Sequence, residues 1–163
     1  MLRFSHYDIV FQEIPDEVTL AINISNCPNR CRGCHSPYLM ENKGRILSEG
    51  TIAKLLDHYQ EAITCICFMG GDADPKEVER LAGFVKRKAR NSVKTGWYSG
   101  RSTLPEKFML DHFNYIKLGP YRENLGGLDN PGTNQRFYRI KDHSMIDMTF
   151  RFQAKTSSVQ IYR

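Results

Sequence analysis

Three cysteines lie close together in the sequence, at a spacing that suits a metal cluster. Cys27, Cys31 and Cys34 form a C-x3-C-x2-C pattern within residues 26–35. A closed [4Fe–4S] cluster uses four cysteine thiolates, so this pattern supplies one fewer than such a cluster needs. The remaining iron of the cube is then free to bind a molecule that carries an amino and a carboxylate group. The spacing therefore predicts a [4Fe–4S] cluster with one open coordination position.

A zinc site is the alternative for the same residues, with His35 as the fourth ligand beside the three cysteines. His35 directly follows Cys34, and adjacent residues in a tight turn seldom bind one tetrahedral ion. Structural zinc sites usually pair their ligands across a longer gap. A Cys3His zinc module that binds nucleic acid through a basic surface thus stays an alternative to the cluster.

The composition predicts one domain in a reducing compartment. The chain has 163 residues, 40% of them hydrophobic, which is enough for one sizeable core and predicts a single domain over 1–163. No segment approaches the roughly 20 apolar residues of a membrane span, and the first residues do not resemble a secretion signal. Five cysteines, three of them clustered, favour metal ligands over a disulfide framework. We therefore expect a cytoplasmic protein without a membrane partner.

The other two cysteines and the basic residues have simpler explanations than a second site. Cys65 and Cys67 alternate within an apolar segment, and we expect them to be small core residues. The net charge is only +5, and the basic residues are densest at 86–94, near the end of a predicted helix. Cations at that position complement the helix dipole. A nucleic-acid partner is accordingly not expected.

The surrounding sequence alternates between strand and helix patterns. Strands are predicted at residues 18–25, 63–69, 92–98 and 115–118, with a short pairing segment at 4–11. One helix is predicted from a Ser48 cap to about residue 61, and another from the Asp74 cap and Pro75. A third, short helix is predicted to begin at residues 103–106. A terminal strand is predicted from five alternating apolar residues, Met145, Ile146, Met148, Phe150 and Phe152.

Alternating strands and helices predict parallel strands joined by right-handed crossovers. A closed eight-fold barrel typically needs about 250 residues, which this chain does not have. We therefore predict an α/β fold, a partial, open (β/α) barrel with about five or six mostly parallel strands. An open flank would admit a macromolecular substrate that a closed barrel excludes.

Two further loops are predicted at the same end of this sheet, where the chemistry of such folds gathers. Gly70, Gly71 and Asp72 follow the second predicted strand, and Ser99 follows the third. Two consecutive glycines allow a backbone to approach a ligand closely, and a carboxylate can bind an ammonium group. Alone, Gly-Gly-Asp is most often a turn, but its place one β-α unit after the cysteines makes it a candidate ligand-binding loop.

Together, the cysteine spacing and the Gly-Gly-Asp loop resemble the motifs of the radical S-adenosylmethionine (SAM) superfamily. Within it, the chain most resembles the activating enzyme of the anaerobic (class III) ribonucleoside-triphosphate reductase. This likeness covers most of residues 5–140. It rests on the small size and on residues 31–35, 70–72, 97–101, 117–121 and 134–136. Lys117 and Leu118 depart from the family pattern, where an acidic residue is more usual.

The resemblance implies a fold of the radical SAM type and a set of cofactor contacts. Cys27, Cys31 and Cys34 would hold the [4Fe–4S] cluster, whose open iron binds the methionyl end of SAM. Gly33 and His35 would lie beside the adenine. The methionyl group would contact Gly70, Gly71 and Asp72, and Ser99 would bind its carboxylate or the ribose. No side chain is required as acid or base, because the reaction is a hydrogen-atom transfer.

The resemblance also implies an activity and two partners. The reduced cluster would cleave SAM to methionine and a 5′-deoxyadenosyl radical, which would take a hydrogen atom from a glycine of the reductase. The product is a glycyl radical on that protein. The anaerobic reductase is thus the expected protein substrate, and the reaction requires a one-electron donor such as flavodoxin. Other small radical SAM enzymes, such as a pyruvate formate-lyase activator or a 7-deazaguanine-type synthase, are the nearer alternatives.

Residues 119–136 form the longest predicted connection, with too many glycines and prolines for a helix or an interior strand. A connection of this length within a compact domain is usually functional or disordered. Tyr121, Leu125 and Leu128 favour an ordered loop, because such side chains prefer a surface to pack on. We expect this loop to border the open flank and to dock the reductase, with Tyr121 and Arg136 as contacts.

Overall fold

The computed structural model describes residues 1–153, in which eight strands form one mixed sheet. The strands are β1 (Leu2–Val10), β2 (Thr19–Ile24), β3 (Arg45–Leu47), β4 (Cys65–Met69), β5 (Lys94–Tyr98), β6 (Tyr115–Leu118), β7 (Arg136–Lys141) and β8 (Ser144–Asp147). The helices are α1 (Glu49–Tyr59) and α2 (Pro75–Lys88), with 3₁₀ turns at Pro37–Met40 and Leu110–His112. None of the helices in residues 1–153 is long and apolar enough to cross a membrane.

Four central strands run parallel and carry the predicted site loops at their carboxyl ends. The sheet order is β3-β1-β2-β4-β5-β6-β7-β8, and the pairs β2–β4, β4–β5 and β5–β6 are parallel. The other four pairs are antiparallel. The parallel strands in the centre of the sheet are therefore flanked on both sides by antiparallel strands, β1 and β3 at one edge and β7 and β8 at the other. The four predicted parallel strands are confirmed. The partial barrel of the radical SAM type stays a prediction, as does the single domain over 1–163.

Both major helices begin at the caps predicted from the sequence. The Ser48 hydroxyl accepts a hydrogen bond from the Thr51 amide, and the Asp74 carboxylate accepts one from the Glu77 amide. These bonds satisfy amide donors that the first turn of a helix leaves free. The last turn of α2 is basic, as expected, and ends with Lys86, Arg87 and Lys88. Because α2 starts at this cap, the Gly-Gly-Asp segment is confined to the loop between β4 and α2.

The two faces of the sheet have different covers. One face packs against α1 and α2, with Ile66 and Phe68 of β4 fully buried there. The opposite face packs against Ile14 from the β1–β2 connection and against Phe137 of β7. Cys65 and Cys67 lie in this second core with no exposed surface, and burial raises the pKa of each thiol. Their prediction as core residues is confirmed.

One sequence prediction is wrong, and a second is right only in part. No helix begins at residues 103–106, because this stretch runs as an irregular segment that ends in an aromatic stack. Phe108 stacks between Trp97 and Phe113, with ring centroids 5.1 and 5.2 Å apart. The terminal strand stops at Asp147, whose carboxylate accepts a hydrogen bond from the Thr149 amide and turns the chain.

Residues 150–153 are helical as a result of this turn. The apolar alternation that predicted the strand therefore extends past its real end, and Phe150 and Phe152 belong to the helical segment. Phe152 packs edge-on against Phe137, with ring centroids 5.1 Å apart. The alternation thus marked side chains that cover the second core and not a continuing strand.

Candidate metal centre

The cysteine loop leaves the carboxyl end of β2 and is tied at both ends by backbone hydrogen bonds. The Asn26 amide donates to the Glu41 carbonyl at 3.0 Å, and the Cys27 amide donates to the Leu39 carbonyl at 2.9 Å. Between these ties the chain takes left-handed backbone angles at Asn26, Arg30 and Gly33. Such angles favour glycine and are tolerated by asparagine. The three predicted cysteine ligands thus lie in a tight loop. Asn26 and Gly33 are residue types that adopt left-handed backbone angles readily.

All three cysteines of this loop line a single cavity of about 290 Å³. Its wall also includes His35, Gly70, Tyr98, Lys117 and Tyr121. The remainder is largely apolar and comes from residues on both sides of the cysteine loop, Asn23, Ile24, Ser36, Leu39, Met40 and Met69. Ligand pockets typically have volumes of roughly 300–1,000 Å³, so this cavity is at the lower end of that range. Its apolar lining suits chemistry from which water must be excluded.

The three cysteines are partly exposed, and two of them lie near a hydrogen-bond donor. The Asn29 side-chain amide lies 3.6 Å from Cys27 Sγ, and the Ser36 amide lies 3.4 Å from Cys34 Sγ. Hydrogen bonds to sulfur tune the potential of iron–sulfur clusters. Within residues 1–153, no group of three His, Cys, Asp or Glu side chains is placed to hold a single metal ion. The three thiols do line one cavity, as the protein ligands of a [4Fe–4S] cluster must.

Asp72 is buried and binds three donors from two neighbouring loops. Its Oδ1 accepts a 2.6 Å bond from the Ser99 hydroxyl, while Oδ2 accepts bonds from the Asn29 side chain at 2.6 Å and the Gly100 amide at 2.7 Å. Asp72 and Ser99 are thus brought together as the sequence predicted, but bound to each other and outside the cavity wall. The carboxylate joins the cysteine loop to the loops after β4 and β5. Direct contact with a ligand ammonium stays a prediction.

The two predicted loop glycines have different surroundings. Gly70 lines the cavity at φ +99°, and its carbonyl accepts a 2.8 Å hydrogen bond from the Trp97 indole. Gly71, at φ +90°, faces away, since a Cβ there would lie 2.5 Å from the Val78 side chain of α2. Gly70 thus lines the cavity, whereas Gly71 allows α2 to pack closely, and a contact of Gly71 with a ligand stays a prediction.

The long loop between β6 and β7 covers the cysteine loop. The rings of Tyr121 and His35 are 5.2 Å apart, and both residues line the cavity. Glu123 forms a 3.4 Å ion pair with Arg32, and its side chain lies 3.2 Å from the position of a Cβ on Gly33. The loop is ordered by its own hydrogen bonds, including Thr133 to Gly126 at 3.2 Å. Leu128 packs against the second core, in agreement with the prediction that this loop is ordered.

Arg136 lies apart from Tyr121, although the sequence grouped the two as docking contacts. It is the first residue of β7, is exposed and pairs in register with Leu118 of β6. It lines a separate, small depression together with Arg122 and Tyr138. The structure therefore places Tyr121 at the cysteine cavity and Arg136 at a separate depression, at the start of β7.

Lys117 is the cavity residue that sequence reasoning singled out without assigning a role. Burial lowers the pKa of its ammonium group to about 8, while the Asp72 carboxylate and the thiolates of Cys31, Cys27 and Cys34 oppose this shift. Its position at the carboxyl end of a predicted strand was the feature of the sequence that could have indicated a place in the site. Asn29 and Tyr98 were missed altogether. The Tyr98 hydroxyl donates to the Glu13 carbonyl, and burial raises the pKa of this phenol.

A larger cavity of about 430 Å³ lies at the other edge of the sheet, between β1 and α1. Arg45, Lys54 and His58 contribute to its lining, but it contains no cysteine. By volume alone, this cavity would be the better candidate for a ligand site. The smaller cavity, however, is lined by the only cluster of thiols that faces a cavity within residues 1–153. We therefore consider the cysteine cavity to be the site of the metal centre.

Comparison with known families agrees with the chemistry of this cavity. A family model described as a 4Fe-4S single cluster domain matches residues 18–115, which is more than half of the chain and includes the three cysteines and the Gly70–Gly71 turn. The chain belongs to this family of iron–sulfur proteins. Searches of curated proteins and of solved structures gave no match.

Proposed function

We propose that this protein is a radical SAM activating enzyme that generates a glycyl radical on the anaerobic ribonucleoside-triphosphate reductase. One observation carries the proposal. The cavity at the carboxyl ends of the parallel strands is lined by three cysteines and no fourth, and by the backbone of Gly70. Such a cavity leaves one iron of a cube without a protein thiolate and provides space beside it for a second molecule. Membership of the single-cluster family supports the cluster itself.

Several residues in and around the cavity have a role in this proposal. Cys27, Cys31 and Cys34 hold the cluster, and Gly70 offers its backbone to the methionyl group of SAM. His35 and Gly33 lie on the side covered by the β6–β7 loop, where the adenine is expected. Asp72, through its bonds to Asn29 and Ser99, keeps the cysteine loop against the loops after β4 and β5.

The cluster and SAM, when bound, supply a one-electron cleavage whose product removes a hydrogen atom from a glycine Cα. The protein itself binds, orients and excludes water. Leu39, Met40 and Met69 provide apolar walls that keep water from the reacting groups. The reductase is the protein substrate, and a one-electron donor such as flavodoxin reduces the cluster.

Three measurements on anaerobically prepared protein test the proposal. Iron and sulfide content should approach four of each per chain, with a broad absorption near about 400 nm. Reduced protein mixed with SAM should release 5′-deoxyadenosine and methionine. Addition of the reductase should give a glycyl-radical EPR signal. Colourless, zinc-containing protein would overturn the proposal, and SAM cleavage without the glycyl radical would favour another small radical SAM enzyme.

A further inference from the structure

The cavity of about 430 Å³ between β1 and α1 is separate from the cysteine cavity. Its described lining comes from β1, β3 and α1, and the two cavities share no lining residue in the part of the chain that the structure describes. Small-molecule pockets typically have volumes of roughly 300–1,000 Å³, so this cavity is large enough to bind a ligand of its own.

Basic side chains line this second cavity from two directions. Arg45 belongs to β3, whereas Lys54 and His58 belong to α1, where their spacing of four positions places them on one helix face. None of the described lining residues is an Asp or Glu. None of the three basic side chains is in an ion pair within residues 1–153. Walls with one sign of charge attract a ligand of the opposite sign, so the cavity favours an anion.

Arg45 is held in a position that suits phosphate binding. Its guanidinium carbon lies over the ring of Phe4, 4.8 Å from the ring centroid. Phe4 and Arg45 are partners in the register of β1 and β3, so the sheet itself brings the two side chains together. Contact with a ring uses the face of the guanidinium and leaves its five N–H donors at the edge for other partners. An arginine held in this way can bind phosphate oxygens with two parallel hydrogen bonds.

Aromatic rings extend from Phe4 along the wall of the cavity. The rings of Phe4 and Tyr7 are 6.5 Å apart, and those of Tyr7 and Tyr59 are 5.9 Å apart. His58 packs edge-on against Tyr59 at 4.5 Å. Phe4 is only 1% exposed, but Tyr7 and Tyr59 are partly buried and leave ring surface at the cavity. Such surface stacks well on nucleobases, whichever base is present.

We propose that this cavity binds a nucleotide. Its phosphates bind Arg45 and Lys54, and its base stacks on Tyr7 and Tyr59. A nucleotide combines the two features that this wall would match, several negative charges and a flat aromatic ring. Inorganic phosphate would use the cations alone, and an acidic protein segment would not need the stacking surface. The inference does not depend on the proposed function, because the site uses none of the residues assigned to the cluster or to SAM.

Three ligands test the proposal by anaerobic calorimetry on cluster-loaded protein. Saturating S-adenosylhomocysteine, the SAM analogue without the methyl group, is present to fill the cysteine cavity. ATP carries a base and phosphates, tripolyphosphate carries the phosphates alone, and adenosine carries the base alone. ATP should bind at one site, at least about fivefold more tightly than tripolyphosphate, because one base stacks on the rings. Adenosine should bind at least about tenfold more weakly than ATP, because it makes no charge-assisted hydrogen bonds.

Substitutions of the two cations show where ATP binds. Arg45→Gln and Lys54→Gln should each weaken the binding of ATP and tripolyphosphate by about 5- to 20-fold and change adenosine binding by less than about twofold. Both side chains are exposed, so the variants should fold, which thermal unfolding verifies. Lys88→Gln is the matched control, since it removes the same charge from an exposed position on α2 outside this cavity. It should change the affinity for none of the three ligands.

The proposal is overturned if wild-type protein does not bind ATP, or if both variants bind ATP as tightly as wild type. Equal affinities for ATP and tripolyphosphate would also overturn it, because the cavity would then be an anion site that an acidic segment of a partner protein could fill. Protein that binds ATP through Arg45 and Lys54 but does not bind S-adenosylhomocysteine would reject the proposed function and support this inference.

Discussion

The side-chain amide of Asn29 donates a 2.6 Å hydrogen bond to Oδ2 of Asp72, which joins the cysteine loop to the loop after β4. The same amide lies 3.6 Å from Cys27 Sγ. One side chain therefore links a predicted cluster ligand to the carboxylate that the sequence placed in the SAM site. Because Asp72 also binds Ser99 and Gly100, the loops after β2, β4 and β5 are held together by a single buried carboxylate.

Gly100 is predicted to be essential to this junction for steric reasons. A Cβ at Gly100 would lie 2.4 Å from the Asn29 amide nitrogen, too close for the Asn29–Asp72 bond to persist. Gly100→Ala should lower the free energy of unfolding by about 1–3 kcal/mol and reduce cluster content after reconstitution. Gly50→Ala is the control, because its nearest contact is 3.6 Å away in the first turn of α1, and it should be neutral or stabilising. Full cluster content in Gly100→Ala would show that the junction does not position the cysteine loop.

The five cysteines should divide into two groups on substitution. Cys27→Ala, Cys31→Ala and Cys34→Ala should each lose the stable [4Fe–4S] cluster and the cleavage of SAM, because two thiolates remain for the cube. Cys65→Ala and Cys67→Ala should keep both, at a cost of roughly 1 kcal/mol for a small cavity in the second core. Iron and sulfide analysis with 5′-deoxyadenosine yield distinguishes the groups. Full cluster content in a Cys31→Ala protein would contradict the assignment.

Features set by neighbours in sequence were predictable, whereas the individual side-chain contacts between neighbouring strands were not. Ser48 and Asp74 cap their helices through bonds to residues three positions away, so local patterns were sufficient. The Asn29–Asp72 bond spans 43 positions and depends on β2 lying beside β4, which composition does not reveal. The strand at residues 144–147 was predicted, but its end was not, because the Asp147 turn looked like continued alternation.

Glu17 lies at the amino ends of the parallel strands, opposite to the cysteine cavity, and is predicted to hold these ends together. Its side chain is 2% exposed and accepts hydrogen bonds from Thr64, Lys94 and Tyr115, which precede or begin β4, β5 and β6. Glu17→Ala should lower the free energy of unfolding by about 2–4 kcal/mol, since three donors lose their acceptor. Denaturant unfolding measures this, with the exposed Glu106→Ala as control. Because this cluster lies away from the cysteine cavity, S-adenosylhomocysteine binding by the folded fraction should be unchanged.

Tyr121 and Arg136 should separate ligand binding from partner docking. Tyr121 lines the cysteine cavity with its ring 5.2 Å from that of His35, so Tyr121→Ala should weaken S-adenosylhomocysteine binding by about 2- to 10-fold. Tyr121→Phe keeps the ring and should bind normally. Arg136 is exposed at the start of β7 and does not line the cysteine cavity, so Arg136→Ala should leave this affinity unchanged but reduce glycyl-radical formation on the reductase. Calorimetry and glycyl-radical EPR on the same preparations provide the comparison. If Arg136→Ala weakened ligand binding as well, this residue would support the site through folding, and the docking surface would have to lie elsewhere.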